Sequence, residues 1–173
     1  MRNQAWLQPW EPTSPMSWPE RNSVGTWNVL LGNLKRAARA GTALPFVVVY
    51  GGRLVGQMNV SNVVHGALRS ANIGYWVDSA VAGRGITPTA LALAIDHCFS
   101  SVRLHRVEVD IRPENGPSLR VVQKLEMRQE GFYQRFLDID NGWRDHLAFA
   151  VTTEELRGST MLSRLPTLPP PPG

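Results

Sequence analysis

The chain has 173 residues, 18 Lys+Arg against 14 Asp+Glu for a formal net charge of +4, and 43% hydrophobic and 18% charged residues. This suits one soluble domain with a full core, and no run reaches the ~18 apolar residues of a membrane span. The opening MRNQAWLQPWEP has no apolar signal core, so secretion is not expected, and the lone Cys98 excludes a disulfide scaffold or cysteine metal site and fits a reducing cytoplasm.

In chain order, Pro9, Pro12, Pro15 and Pro19, with Trp10 and Trp18 between them, predict an extended, non-helical segment over residues 9–22 whose tryptophans dock elsewhere. Residues 24–40 read as a helix with Trp27, Leu30, Leu31, Leu34 and Ala38 along one side, and Gly41 suits its C-terminal cap. Residues 45–50, the turn Gly51-Gly52 and residues 53–60 read as a hairpin. Residues 71–78 (ANIGYWVD) follow as a strand and residues 88–99 (PTALALAIDHCF) as an apolar helix. Residues 103–112 alternate cleanly, with Val107, Val109 and Ile111 on one face and Arg106, Glu108, Asp110 and Arg112 on the other. After the break at Pro113 and Asn115-Gly116-Pro117, a short helix spans 118–125. A second hairpin joins residues 132–139 and 143–151 through Asn141-Gly142. The proline-rich tail from Arg164 onward, residues 164–173, is expected to be disordered or polyproline-like, which leaves one domain over 1–163. This order mixes antiparallel pairing with one parallel crossover, so the fold class is α+β (mixed α/β).

The segment Val81-Ala82-Gly83-Arg84-Gly85-Ile86-Thr87 joins a strand to a helix. Free N–H groups and the positive end of a helix dipole at such a loop suit a phosphate. The alternative is a turn that only caps the helix. Most basic residues are Arg, which favours phosphate and carboxylate recognition, and the modest positive excess suits an anionic cofactor or an RNA-rich partner, whereas Lys35-Arg36-Ala37-Ala38-Arg39 reads as a solvated helix end rather than a nucleic-acid patch. His65, His97, His105 and His146 lack ligand spacing, so no metal site is expected.

The element order, with Gly83-Arg84-Gly85 at the first turn of the helix, resembles the GNAT N-acetyltransferase fold. Further motifs resemble its RimJ/RimL branch, which acetylates the α-amino group of ribosomal proteins. They are His105-Arg106-Val107, then Pro113-Glu114-Asn115 with Ser118, then Lys124-Leu125, and Ile139-Asp140-Asn141-Gly142-Trp143-Arg144-Asp145-His146. The likeness is motif by motif over residues 71–155 and by pattern alone over 24–70. Three departures stand out. The chain opens at what corresponds to the end of the family's first helix (Ala5-Trp6-Leu7-Gln8-Pro9-Trp10), so an N-terminal strand is expected to be missing and an edge left open. Ala80 stands where the family has Gln or Arg, and Glu126 where it has Gly.

The resemblance implies a mostly antiparallel sheet with one splayed parallel strand pair, into which the pantetheine arm of acetyl-CoA enters. Backbone groups near Trp76 and Val77 would pair with that arm. The loop Gly83, Arg84, Gly85, Ile86 and Thr87 would hold the pyrophosphate, with Arg84 adding charge or facing solvent. Asn115 would hydrogen-bond the pantetheine or serve only as a turn residue. Ser118 would cap the following helix, donate a proton to the leaving thiolate, or both. The acceptor amine must lose a proton, its unperturbed pKa being near ~8. Glu108, ahead on length, and Asp110 are the candidate bases, unless they only form ion pairs with Arg106 and Arg112. A backbone N–H near Val77 would meet the oxyanion. Cys98, mid-helix, suits no covalent intermediate.

The leading expectation is direct transfer of acetyl to the α-amino group of a protein N-terminus, of ribosomal-protein type beginning with Ala or Ser. Acetyl-CoA is the cofactor, no metal takes part, and there is no sequence-specific nucleic acid and no membrane. The location is cytoplasmic, and a homodimer is compatible with the open edge. The alternatives are a small-molecule amine acceptor and a catalytically weak acyl-CoA-binding module.

Overall fold

The computed structural model describes residues 2–167. Its N-terminal part is helical: α1 (Gln4–Leu7), a 3-10 turn at Gln8–Trp10, α2 (Trp18–Arg21) and α3 (Val24–Arg39). The hairpin strands β1 (Leu44–Tyr50) and β2 (Arg53–Val64) come next, then β3 (Ser70–Val77), α4 (Ile86–Ser100), β4 (Arg106–Ile111), α5 (Gly116–Lys124), β5 (Arg128–Asp138), β6 (Trp143–Thr152) and α6 (Thr153–Leu156). The six strands form one sheet in the order β1-β2-β3-β4-β6-β5. Only β3 and β4 run parallel.

The alternation read in residues 103–112 sets the two faces of the sheet. Val107, Val109 and Ile111 are at most 4% exposed, while Arg106, Glu108 and Asp110 are half-buried on the opposite face. Met58, Val60, Ala71, Ile73, Phe149 and Val151 extend the buried face. Helix α4 covers it with Leu91, Ala92, Ile95 and Cys98, all fully buried. Each such Leu or Ile contributes about 1.5–3 kcal/mol on leaving water, so α4 is anchored along its length. Helix α5 adds Val121 and Val122.

The proline-rich segment differs from its extended expectation. Pro9 lies in the 3-10 turn and Pro19 in the first turn of α2, where a missing N–H breaks no helical bond. Ser17 and Glu20 close a capping box there, the Ser17 N–H donating to Glu20 Oε2 at 2.7 Å. Helix α3 is capped by the Ser23 side chain at one end and, as expected, by Gly41, at φ 69°, beyond the other. Its apolar side is not sealed: Trp27 and Leu30 are more than 40% exposed, and Leu31 and Leu34 only half-buried. The helix packs beside β1 at the sheet margin rather than over the sheet centre.

Among the described residues β1 and β5 are the edge strands, and on β1 Val47 and Val49 are exposed. The expected tail is engaged at its start. Arg164 donates to the carbonyls of Leu125 (2.6 Å) and Glu155 (3.1 Å), and Leu165 packs against the core. Residues 168–173 of that tail lie outside the described residues.

After Leu125 the chain turns through Glu126, at φ 51°, and the Met127 N–H returns to the Val122 carbonyl. The turn is thus made in the left-handed region despite the side chain. Left-handed geometry costs a non-glycine residue roughly 1–2 kcal/mol, and glycine costs the unfolded chain roughly 0.5–1 kcal/mol in entropy. Glu126→Gly is therefore expected to stabilise the fold by about 0.5–1 kcal/mol, read as a higher denaturant midpoint at unchanged slope; a lower midpoint would show that the side chain contributes more than its strain costs.

Candidate active site

Strands β3 and β4 pair only at Ser70–Arg106, Ala71–Val107 and Asn72–Glu108. Beyond Asn72 they separate, although β3 stays paired with β2 as far as Val77 and β4 with β6 as far as Ile111. In the β2–β3 ladder Asp78 N–H donates to Val55 O at 2.7 Å. The alternation of an antiparallel pair then turns the backbone groups of Trp76 toward β2 and those of Tyr75 and Val77 toward the gap. Of the two residues expected to present backbone to a ligand, Val77 does so. Tyr75 takes the place of Trp76, whose indole donates to Gln57 Oε1 at 3.3 Å. The strands approach closely here: a Cβ on Gly56 would lie 2.5 Å from Trp76 O, so only glycine fits.

A cleft of about 230 Å³ opens at this gap. The turn Ala82–Gly85 and the first turn of α4 form one wall, and the first turns of α5 another. Gly83, Gly85, Thr87, Asn115 and Ser118 all line it, together with Trp76 and Val77. Gly83 and Gly85 sit at φ 79° and 81°, a conformation that excludes side chains in practice. No side chain caps α4, and Pro88 has no N–H, so the first-turn donors Ile86 and Thr87 are unclaimed by a cap. Ile86 buries its side chain in the core, leaving only its backbone for a ligand. Arg84 does not line this cleft; it borders a second cavity with Arg2, Arg53 and Asp78.

Asn115 is the N-cap of α5, its Oδ1 accepting from Ser118 N–H at 3.2 Å. The capping alternative for Ser118 is therefore not realised, and its hydroxyl is left over on the cleft wall. The fourth wall comes from the N-terminal segment, with Trp6, Leu7, Trp10 and Glu11. Trp6 Nε1 donates to Val77 O at 3.0 Å, Asn3 accepts from Ser79, and Arg2 pairs with Asp78. Trp10 lies beneath the Arg112 guanidinium, 5.1 Å from its ring, and Arg112 Nη1 donates to Pro9 O at 2.7 Å. Only the tryptophans' need to dock signalled this wall in the sequence.

The two candidate bases meet different surroundings. Glu108 accepts from Arg106 Nε at 2.6 Å, and Arg106 also holds Glu130, whose carboxyl these contacts and Arg128 push down to about 2. Asp110 lies two residues beyond the last β3–β4 pair, with Asn72 Nδ2 reaching Oδ2 at 3.2 Å and Oδ1 buried without a partner. Burial, then the charge of Glu108, raises its pKa to about 6 against the opposing Asn72 hydrogen bond. Neither carboxylate lines the cleft itself; both lie on the sheet face opposite α4.

Burial pushes the Cys98 thiol up to about 12, which makes it an inert core residue. His146 is buried, its Nδ1 3.1 Å from Arg144 O, and burial lowers its pKa. No three His, Cys, Asp or Glu cluster at metal-binding distance among the described residues, and no helix there is long and apolar enough to cross a membrane.

Residues 2–128 match the acetyltransferase (GNAT) domain. The chain is 30% identical over 155 residues to the [ribosomal protein uS5]-alanine N-acetyltransferase of Escherichia coli, covering 88% of this chain and 78% of that one. It is 36% identical over 99 residues to YjcK of Bacillus subtilis, and there it spans only 55% of the relative's length. Mycobacterium smegmatis RimJ, solved in complex with CoA-disulfide, superposes with a TM-score of 0.92 at 48% identity, over 94% of this chain and 78% of that one. The ribosomal-protein-S5-alanine acetyltransferase of Vibrio fischeri gives 0.81 at 28% identity, over 90% and 84%. With its splayed strands and glycine turn in place, the chain belongs to the GNAT acetyltransferase family, in its RimJ/RimL branch.

Proposed function

We propose that this acetyltransferase moves an acetyl group from acetyl-CoA to the α-amino group of a protein N-terminus, of the ribosomal-protein kind beginning with Ala or Ser, by direct transfer in a ternary complex in the cytoplasm. The observation that carries this reading is the gap between β3 and β4, which leaves strand backbone unpaired beside an uncapped helix N-terminus. The likeness to the uS5-alanine acetyltransferase supports the choice of acceptor. The cleft suits a small polyamine less well. Glu11, the one carboxylate on its wall, is paired with Arg21 at 2.5 Å, and Arg120 and Lys124 add positive charge.

The residues fit the cofactor. Tyr75 and Val77 offer strand-like backbone to an extended amide chain, and the turn of Gly83 and Gly85 with the N–H groups of Ile86 and Thr87 offers donors to a pyrophosphate. The Asn115 amide nitrogen remains free for a carbonyl, its oxygen being used as the cap. Acetyl-CoA, when bound, supplies an activated acetyl thioester. Asp110 takes a proton from the acceptor ammonium, directly or through a water, before attack and returns it to solvent later. The Val77 N–H meets the developing oxyanion, the Val77 carbonyl being held by Trp6. Ser118 gives its hydroxyl proton to the departing sulfur and regains one from the acceptor nitrogen, so the proton lost there balances the proton gained by sulfur. Glu108, clamped by Arg106, serves the structure rather than the chemistry.

Thiol release from acetyl-CoA tests the acceptor. Peptides beginning with Ala or Ser are expected to support turnover and their N-terminally blocked forms to give none. Release with polyamines but with no peptide would overturn the reading.

The base assignment predicts a pH profile. Asp110 must be ionised to act, so kcat/KM should rise with pH through an apparent pKa of about 6. Asp110→Asn should cost at least about 100-fold and abolish that limb, while Glu108→Gln stays within about 5-fold. The sign for stability is opposite. A carboxyl whose folded pKa lies above its ordinary 3.8 binds more protons folded than unfolded, so the wild type loses stability as pH rises from about 4 to 6. Asp110→Asn should flatten that slope in thermal melts; an unchanged slope and rate would reassign the base.

A further inference from the structure

Two arginines have had no role so far. Arg53, the first residue of β2, and Arg84, between the two glycines of the turn, are exposed, and neither enters an ion pair among the described residues. Both border the second cavity, of about 290 Å³, together with Arg2, Tyr50 and Asp78. Gly83 and Gly85 thus face the cleft while the residue between them borders this separate space. Three guanidinium groups meet there, from the N-terminal segment, the β1–β2 hairpin and the glycine turn.

Asp78 is the one acid on the cavity wall among the described residues, 5% exposed, and both its oxygens are engaged. Oδ1 accepts from the Ala80 N–H at 3.0 Å, and Oδ2 pairs with Arg2. That pair offsets Arg2 and leaves the charges of Arg53 and Arg84 without a counterpart. Like charges on one concave wall repel, and an anion between them relieves the repulsion. A guanidinium is a planar fork that matches phosphate oxygens. A phosphomonoester carries roughly −1.5 to −2 charges at pH 7, enough to answer both arginines, whereas a carboxylate carries a single one. We propose that this cavity is a phosphate site, in which Arg53 and Arg84 hold a phosphomonoester between them. Such a group has two sources. CoA bears one on its ribose, beside a pyrophosphate read at the glycine turn, and this source rests on the cofactor reading above. A separate phosphate ester is the other, and it needs no cofactor.

The test is calorimetric titration of the wild type, Arg53→Gln and Arg84→Gln with CoA, dephospho-CoA and inorganic phosphate. Arg39→Gln, at an exposed arginine in the last turn of α3, controls for net charge. Neither cavity arginine is paired, so each variant should melt within about 3 °C of the wild type. If the cofactor supplies the phosphate, the wild type binds CoA about 10-fold or more tighter than dephospho-CoA, and Arg53→Gln and Arg84→Gln each weaken CoA alone. If a separate ester is the ligand, the two cofactor forms bind alike. Inorganic phosphate then binds the wild type and Arg39→Gln with a Kd of about 10 mM or tighter, and Arg53→Gln about 10-fold more weakly. A preference for CoA or a phosphate affinity that Arg53→Gln leaves unchanged would overturn the proposal. So would the same loss in Arg39→Gln, or the absence of both the preference and saturable phosphate binding. Failure of CoA itself to bind the wild type would sink the cofactor reading, and the phosphate titrations would still decide this site.

Discussion

Parallel pairing between β3 and β4 ends after Asn72 and Glu108, and the cleft follows from that interruption. Each strand remains fixed by its other neighbour, β2 for β3 and β6 for β4, so neither can swing to close the gap. An unpaired backbone row inside a sheet is normally a liability, because each buried N–H and C=O needs a partner. Here the row formed by Tyr75 and Val77 faces the cleft, where the Trp6 indole already takes the Val77 carbonyl. At the far end of the gap, where Gly56 pairs with Val77, β2 and β3 approach too closely for any side chain at position 56.

The anchoring of α4 builds one wall of that gap. Leu91, Ala92, Ile95 and Cys98 fix the helix against the sheet, and Ile86 fixes its first residue. The position of the helix N-terminus is therefore a consequence of core packing. The preceding turn has to reach it through two positive-φ residues, which Gly83 and Gly85 supply. The N-terminal segment completes the enclosure by fastening Arg2, Asn3 and Trp6 to Asp78, Ser79 and Val77. It is held at its other end by the β5–β6 turn, where Thr13 N–H donates to Asp138 O and Pro12 bridges to Ile139.

On the opposite sheet face, two carboxylates of one strand have separate fates. Arg106 reaches Glu108 and Glu130 together, and Arg128 extends the network to Glu155. Such a network keeps its carboxylates occupied by arginine and holds Glu130 well below the usual carboxylate range. Asp110 is opposite Ala148 of β6, with one amide for company, and so carries the cost of its burial as a raised pKa. The longer Glu108 side chain is held by Arg106, whereas the shorter Asp110 has only the Asn72 amide as a partner.

Much of the fold was legible because its elements are amphipathic in the simplest way. The parity of Val107, Val109 and Ile111 and the Gly41 cap are local signals, each decided by a few adjacent residues; the second hairpin turns one residue earlier than Asn141-Gly142, through Asp140 and Asn141 at φ 48° and 58°, with Ile139 and Gly142 exchanging backbone hydrogen bonds. The prolines were harder to read. Pro9 and Pro19 are compatible with helix only at a first turn, and that position depends on the whole segment. The apolar side of α3 is open at Trp27 and Leu30, because periodicity marks an apolar face without saying whether anything covers it.

By itself, the sequence determined the order of the elements from α3 to β6 and the glycine turn before α4, since these depend on backbone preference and residue type at near neighbours. Tertiary structure alone decided that Tyr75 rather than Trp76 turns its backbone to the gap, that Asn115 rather than Ser118 caps α5, and that Arg106 claims Glu108 while Asp110 stays unpaired. Each of those outcomes depends on which side of a strand is already hydrogen-bonded or which long side chain arrives from another element. Ladder register and ion pairing are long-range contacts, and spacing along the chain does not encode them.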